Sequence, residues 1–242
     1  MSETTTLPPS PPDSSPGTGP GPRIGLIAAL CAIGAVVFLG IAAVYAVRGN
    51  DDTATGADDN DGWHGTEVSP GLPRPDFTLT DTSGRPFDFA AQTKGRLTLL
   101  FFGYTHCPDV CPAHMSVLRG ALEVPGTPKP LVVFVTTDPA RDTGPALRKW
   151  LDQYDKDFIG LTGTPEQIAA AERAAKVAGS VRLPEDQSSG NSEYDVGHAA
   201  QIVAYTPDDL AHVVYPFGTR AADWAADLPR LLDEEWPQES AS

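Results

Sequence analysis

Cysteine is scarce in this chain, three residues in 242, and two of the three stand within one five-residue stretch. Positive charge is also short. Seventeen Lys and Arg face 32 Asp and Glu, for a net charge of −15, which argues against nucleic acid as a partner because that binding needs a basic face. An anionic coat of this kind keeps a protein solvated and suits encounters with cations or with a basic partner surface. There is no phosphate-binding glycine loop, no dinucleotide fingerprint, no catalytic serine arrangement and no internal repeat.

Two further absences divide the chain. Residues 1–22 have no aromatic residue and only Leu7 as an aliphatic, so they bury too little surface to offset the entropy of ordering and read as a disordered tail. Residues 24–47 contain no charge at all and lie between Arg23 and Arg48. As a helix, 24–47 is about 36 Å long, enough to cross a hydrocarbon core of about 30 Å with some tilt. It is expected to be a single transmembrane helix. A cleaved signal is the alternative; its apolar region is normally shorter, although Val44-Tyr45-Ala46 resembles a cleavage site. One arginine at each end leaves the orientation open. Cys31, mid-span, is assigned no function.

Asp51, Asp52, Asp58, Asp59 and Asp61 alternate with Gly, Thr and Asn, and 49–68 reads as an acidic flexible linker. The folded domain is expected over 69–236, with 237–242 as a C-terminal tail. Phe77–Thr80 and Pro86–Phe89 flank the turn at Asp81-Thr82-Ser83-Gly84 and form a hairpin. Leu97–Phe102 and Leu131–Val135 are continuous apolar strands of the buried, parallel kind. Helices are expected over Ala113–Leu122, from about Thr143, from Thr164 to about Val177, and over Ala222–Glu234. Ser180–Gly197 reads as an exposed loop, and His198–Tyr205 and Leu210–Tyr215 as paired strands.

Between the first buried strand and its helix lies Thr105-His106-Cys107-Pro108-Asp109-Val110-Cys111-Pro112. A helix N-terminus favours thiolate over thiol, and Pro108 suits the first helical position. If the turn is helical from Cys107, a spacing of four places both sulfurs on one face. A structural disulfide is the bland alternative, but so short a loop would stabilise little.

A Cys pair at a βα turn, an N-terminal hairpin and a terminal helix describe an α/β, thioredoxin-like fold preceded by a transmembrane helix. Three residues separate these cysteines, where thioredoxins have two. With the acidic turn Asp138-Pro139-Ala140-Arg141-Asp142-Thr143 and with Val196-Gly197-His198 ahead of Pro207-Asp208, the chain resembles the Sco/SenC family of membrane-anchored copper proteins over about 70–236. The resemblance implies a copper site made of Cys107, Cys111 and His198. It also implies a metallochaperone role toward the dinuclear copper (CuA) site of cytochrome c oxidase subunit II, or toward another extracytoplasmic copper protein. It places the N-terminus inside and the domain on the extracytoplasmic side of the cell membrane. Thiolates suit Cu(I), and imidazole serves both Cu(I) and Cu(II).

The alternative class is enzymatic: an extracytoplasmic thiol–disulfide oxidoreductase using the redox-active pair Cys107 and Cys111. His198 discriminates, because such an enzyme needs no imidazole there, and the chain has no proline between Pro184 and Pro207 to match the thioredoxin cis-proline. His106 and His114 read as solvated surface residues, His64 and His212 carry no motif, and Met115 belongs to the core. Asp138 would steer a cation or cap a helix, and Asp142 is expected to cap the helix that follows it.

Overall fold

The computed structural model describes residues 62–183, 194–234 and 236. The 1–22 tail, the 24–47 span, the 237–242 tail and residues 49–61 of the 49–68 linker lie outside the described residues. Among the described residues no helix is long and apolar enough to cross a membrane.

Among the described residues ten strands and five helices follow one another as β1 (Thr66–Pro73), β2 (Thr78–Asp81), β3 (Pro86–Asp88), α1 (Phe89–Thr93), β4 (Thr98–Gly103), α2 (Val110–Leu122), β5 (Leu131–Thr136), α3 (Gly144–Leu151), β6 (Ile159–Thr162), α4 (Pro165–Ala174), β7 (Val181–Arg182), β8 (Val196–Gly197), β9 (Ile202–Tyr205), β10 (Leu210–Tyr215) and α5 (Ala221–Asp233). Eight strands form one sheet in the order β1-β10-β9-β4-β5-β6-β2-β3, and β7 and β8 pair separately. The pairs β4/β5 and β5/β6 are parallel, and the flanking pairs are antiparallel. This is the expected α/β, thioredoxin-like arrangement, with helices on both faces of a mixed sheet.

Alternation along the central strands builds two cores. Leu99 and Phe101 of β4 and Phe134 of β5 face Cys111, Met115 and Leu118 of α2, Leu147 and Leu151 of α3, and Trp224 and Leu228 of α5. Leu100, Phe102, Val133 and Val135 face the opposite layer, with Phe77, Phe89 and Ala171. Because β4 is covered on both faces, all six of its residues are buried, as its unbroken apolar sequence requires.

Several boundaries differ from the sequence expectation. The folded part starts inside the stretch read as linker: Trp63 is buried, and β1 pairs with β10 across a register shift between Glu67 and Leu72. Pro70 and Gly71 disguised this strand, and a bulged edge is where a sheet tolerates them. Strand β6 carries no clear sequence signal, because Gly160 interrupts a short apolar run. Glycine is needed there, since a Cβ would come within 2.8 Å of Leu151 Cδ1 on α3. The strand expected over His198–Tyr205 is regular only from Ile202. The carbonyls of Ala199 and Ala200 accept bonds from side chains and are therefore not in the sheet ladder.

Candidate metal centre

The strand β4 ends at Gly103 for a steric reason. A Cβ there would sit 2.6 Å from Cys111 Sγ and 3.0 Å from Phe101, so only glycine lets the sulfur lie against the strand end. The chain then turns through Tyr104–Pro108. Helix α2 begins at Val110, capped by Asp109, whose Oδ1 accepts from the Val110 N–H at 2.6 Å. Cys107 therefore precedes the helix and Cys111 lies in its first turn, so the expected helical i, i+4 relation does not hold. The sulfurs converge by another route: the Cys111 N–H at the helix N-terminus points at Cys107 Sγ, 3.5 Å away. The Tyr104 N–H points at Cys111 Sγ at 3.4 Å.

His198 arrives from β8. Its Nε2 lies 3.4 Å from Cys111 Sγ and 3.9 Å from Cys107 Sγ, and the three donor atoms fall within 4.8 Å of one another. The other ring nitrogen, Nδ1, lies 3.0 Å from the Ala199 carbonyl oxygen. A carbonyl only accepts, so Nδ1 carries its proton and Nε2 faces the sulfurs, the orientation a metal ligand needs. Both cysteines are free thiols and both are buried.

The two sulfurs are electrostatically unlike. The Cys111 thiol donates toward Cys107. Together with His198 and the Cys111 backbone N–H, and against the opposing effect of burial, it pulls the Cys107 pKa down to about 3. Burial, then the neighbouring Cys107 charge, pushes Cys111 far up. Burial would lower His198, but its bonds to Cys107 and to the Ala199 carbonyl and the Cys107 charge leave its pKa raised. The site thus pairs a sulfur that ionises readily with one that resists ionisation, beside an imidazole whose protonated form is favoured.

A model of the family described as SCO1/SenC matches residues 68–233. The chain belongs to that family. It is 35% identical over 173 residues to a Stutzerimonas stutzeri protein named as a candidate copper-binding protein, covering 68% of this chain and 81% of that one. It is 36% identical over 159 residues to the Bos taurus mitochondrial protein SCO2 homolog, covering 64% of this chain and 58% of the bovine one. Among solved structures, Bradyrhizobium japonicum ScoI with copper bound superposes with a TM-score of 0.57 at 32% identity, covering 67% of this chain and 99% of that chain. The apo Sco1 protein of Thermus thermophilus superposes at 0.61 with 30% identity, covering 70% and 97%.

The remaining candidates of this SCO1/SenC protein fall into place around the three donors. His106 is exposed, as expected, and its Nδ1 lies 3.0 Å from Thr105 Oγ. His114 is not a surface residue. It is 2% exposed, its ring lies against Phe101 and Phe217, and burial lowers its pKa. The signal was in the spacing, because Cys111, His114, Met115 and Leu118 form one helical stripe. Met115 is core.

Asp142 does not cap α3; Thr143 does. Asp142 is fully buried and instead accepts from the Thr105 N–H at 2.9 Å, Thr105 Oγ at 2.5 Å and Thr136 Oγ at 2.6 Å, tying the cysteine turn to the end of β5. Asp138 pairs with Arg141 and accepts from Tyr194 OH at 2.7 Å. His64 and His212 lie away from the sulfurs, His64 against Asp227 at 2.8 Å and His212 against Asp208 at 2.8 Å.

Proposed function

We propose that this protein binds one copper ion through Cys107 Sγ, Cys111 Sγ and His198 Nε2 and passes it to another protein. The convergence of these three donors within 4.8 Å carries the reading. Two soft sulfurs and one imidazole favour Cu(I) while accommodating Cu(II), and three ligands leave room for an incoming donor from a recipient. Zinc more commonly takes four closed ligands.

The residues divide the work. Cys107, already a thiolate, offers the first bond. Cys111 surrenders its proton as the ion arrives, and the raised His198 pKa favours a second proton there that must also leave, so binding releases protons. His198 keeps its Nδ1 proton on the Ala199 carbonyl throughout, which holds the ring in place. The copper-bound Bradyrhizobium structure supports the choice of metal. Family resemblance points to the dinuclear copper site of cytochrome c oxidase as recipient. The apolar 24–47 stretch supports a single-pass anchor, and family resemblance points to an extracytoplasmic domain.

Titration of the full-length chain with Cu(I) tests this reading: one ion bound when reduced and none when oxidised is expected, because a disulfide has no thiolate to offer. Copper retained in full by the oxidised chain would overturn it. Protease added outside intact cells should cut in 49–61 and release the domain; a protected domain would overturn the topology.

A second reading rests on the unequal sulfurs. Cys107 thiolate could attack a partner disulfide, forming a mixed disulfide and releasing one partner thiolate. Cys111, on losing its proton, would attack Cys107 Sγ, closing the Cys107–Cys111 bond and freeing the second partner thiol. Two electrons pass to the partner. Fast disulfide turnover that survives His198→Ala, without copper transfer to an apo copper domain, would favour this reading over the first.

A further inference from the structure

His198 reaches the sulfurs on a segment that the main sheet does not hold. Among the described residues β8 pairs only with β7, and residues 198–201 belong to neither helix nor strand. An imidazole on such a strap stays over two sulfurs only if the strap is fastened on both sides. Upstream the fastening is Tyr194. Its hydroxyl donates to Asp138, its carbonyl accepts from Arg141 Nη2 at 2.9 Å, and the Arg141 guanidinium lies 3.8 Å from its ring centroid.

Downstream the fastening is His114. Its Nε2 lies 2.8 Å from the Ala200 carbonyl oxygen and donates to it. The ring is sealed between Phe101, 4.9 Å away, and Phe217, 5.4 Å away, so it has no freedom to follow the strap if the strap drifts. The carbonyl immediately before, that of Ala199, accepts from His198 Nδ1. Two consecutive carbonyls are therefore held by two imidazoles, and one of these belongs to the candidate ligand itself.

We propose that His114 is a positioning residue for the copper centre: by holding the Ala200 carbonyl it fixes the 200–201 peptide, next to the 199–200 peptide whose Ala199 carbonyl orients the His198 ring, and so aims Nε2 at the sulfurs. His114 is not itself a ligand, because its Nε2 is committed to the carbonyl and its ring is buried. The inference rests on the assignment of Cys107, Cys111 and His198 as the copper site. Partners that orient a metal-ligating imidazole typically change affinity by about 10–100-fold when removed.

The test uses the reduced full-length chain as wild type, His114→Phe and His114→Gln. Phenylalanine keeps the ring and its packing but removes the N–H; glutamine restores a donor. The first readout needs no metal. In wild type, NMR cross-peaks should connect the His198 ring with the rings of Tyr104 and Phe101, whose centroids lie 5.6 and 5.8 Å from it. The second is Cu(I) affinity by competition with a chromophoric chelator.

His114→Phe should lose the cross-peaks and bind Cu(I) about tenfold more weakly, and His114→Gln should recover both. Unchanged cross-peaks and affinity in His114→Phe would overturn the proposal. So would equal losses in both variants that track a lowered Tm, since that is a purely structural role. If wild type bound no copper, the functional reading would fall by itself, and the cross-peaks would still decide whether His114 positions His198.

Discussion

The cysteine corner stands on the central sheet, where every residue of β4 is buried, whereas His198 hangs from a two-stranded strap whose β7 residues are both exposed. The corner is overdetermined. Gly103 admits the sulfur, Asp109 caps the helix, and Asp142 ties the turn to β5 through three hydrogen bonds. The strap buries Val196 and Ala199 and takes a bond from Tyr104 OH on Asp195, and Tyr194 and His114 fasten its two ends. A dithiol built into the central sheet thus meets an imidazole brought by a separate segment, and the two are coupled where His198 Nε2 faces both sulfurs.

That contrast can be broken hardest at Cys111. Cys111→Ala should abolish tight Cu(I) binding. It should also move the Cys107 titration upward from about 3, because the Cys111 thiol is the largest influence holding it down. Thiolate absorbance followed through an acid titration checks this; a Cys107 midpoint left near 3 would show that His198 and the backbone N–H suffice.

Asp142→Ala attacks the corner's support. With Thr136 Oγ and the Thr105 donors left unpaired, stability should fall by about 3 kcal/mol, measured by urea unfolding. A loss below about 1 kcal/mol would mean that water replaces the carboxylate.

His198→Ala attacks the strap alone. Copper binding should weaken by more than about tenfold, since loss of a ligand costs at least what loss of its orienting partner does. The dithiol should still oxidise and reduce, and stability should fall by about 1 kcal/mol with the bond to the Ala199 carbonyl. Unfolding at markedly lower urea would show that the strap stabilises the domain after all.

The pH dependence sharpens the same division. Cys107 is ionised throughout the range above about 3 and contributes no proton. Cys111, its pKa raised far by burial, carries a proton that it must lose to bind, and the raised His198 pKa favours a second one on that ring. Affinity therefore falls as pH falls, with the logarithm of affinity changing by about one to two per pH unit near neutrality. An affinity independent of pH would contradict that protonation pattern. His64→Ala should have the smallest effect. It removes a half-exposed partner from Asp227, which keeps the His64 backbone N–H and Tyr215 OH, so a loss of about 1 kcal/mol and unaltered copper binding are expected.

Local pattern was enough to read the strands β4 and β5, the hairpin β2–β3, the four longer helices and the cysteine turn, because each depends on periodicity, caps and breakers within a few residues. Family motifs, not spacing, singled out His198, which stands 87 positions from Cys111. What local pattern misses is set by partners distant in sequence. Strand β1 exists because β10 offers it an edge, and Gly160 can be a strand residue because Leu147 and Leu151 pack over it. Asp142 stands where a capping residue is expected, yet it turns inward to donors on Thr105 and Thr136.

The sequence by itself determined that two thiols lie at a strand-to-helix turn of an α/β domain, since apolar runs and helix signals are local properties of the chain. Only the tertiary structure decided that Cys107 lies outside the helix and that His114 is buried against the strap. It also decided that an imidazole 87 positions away meets the two sulfurs. Those relations are made by the packing of β4, α2 and the β7–β8 strap against one another, and no residue carries them alone.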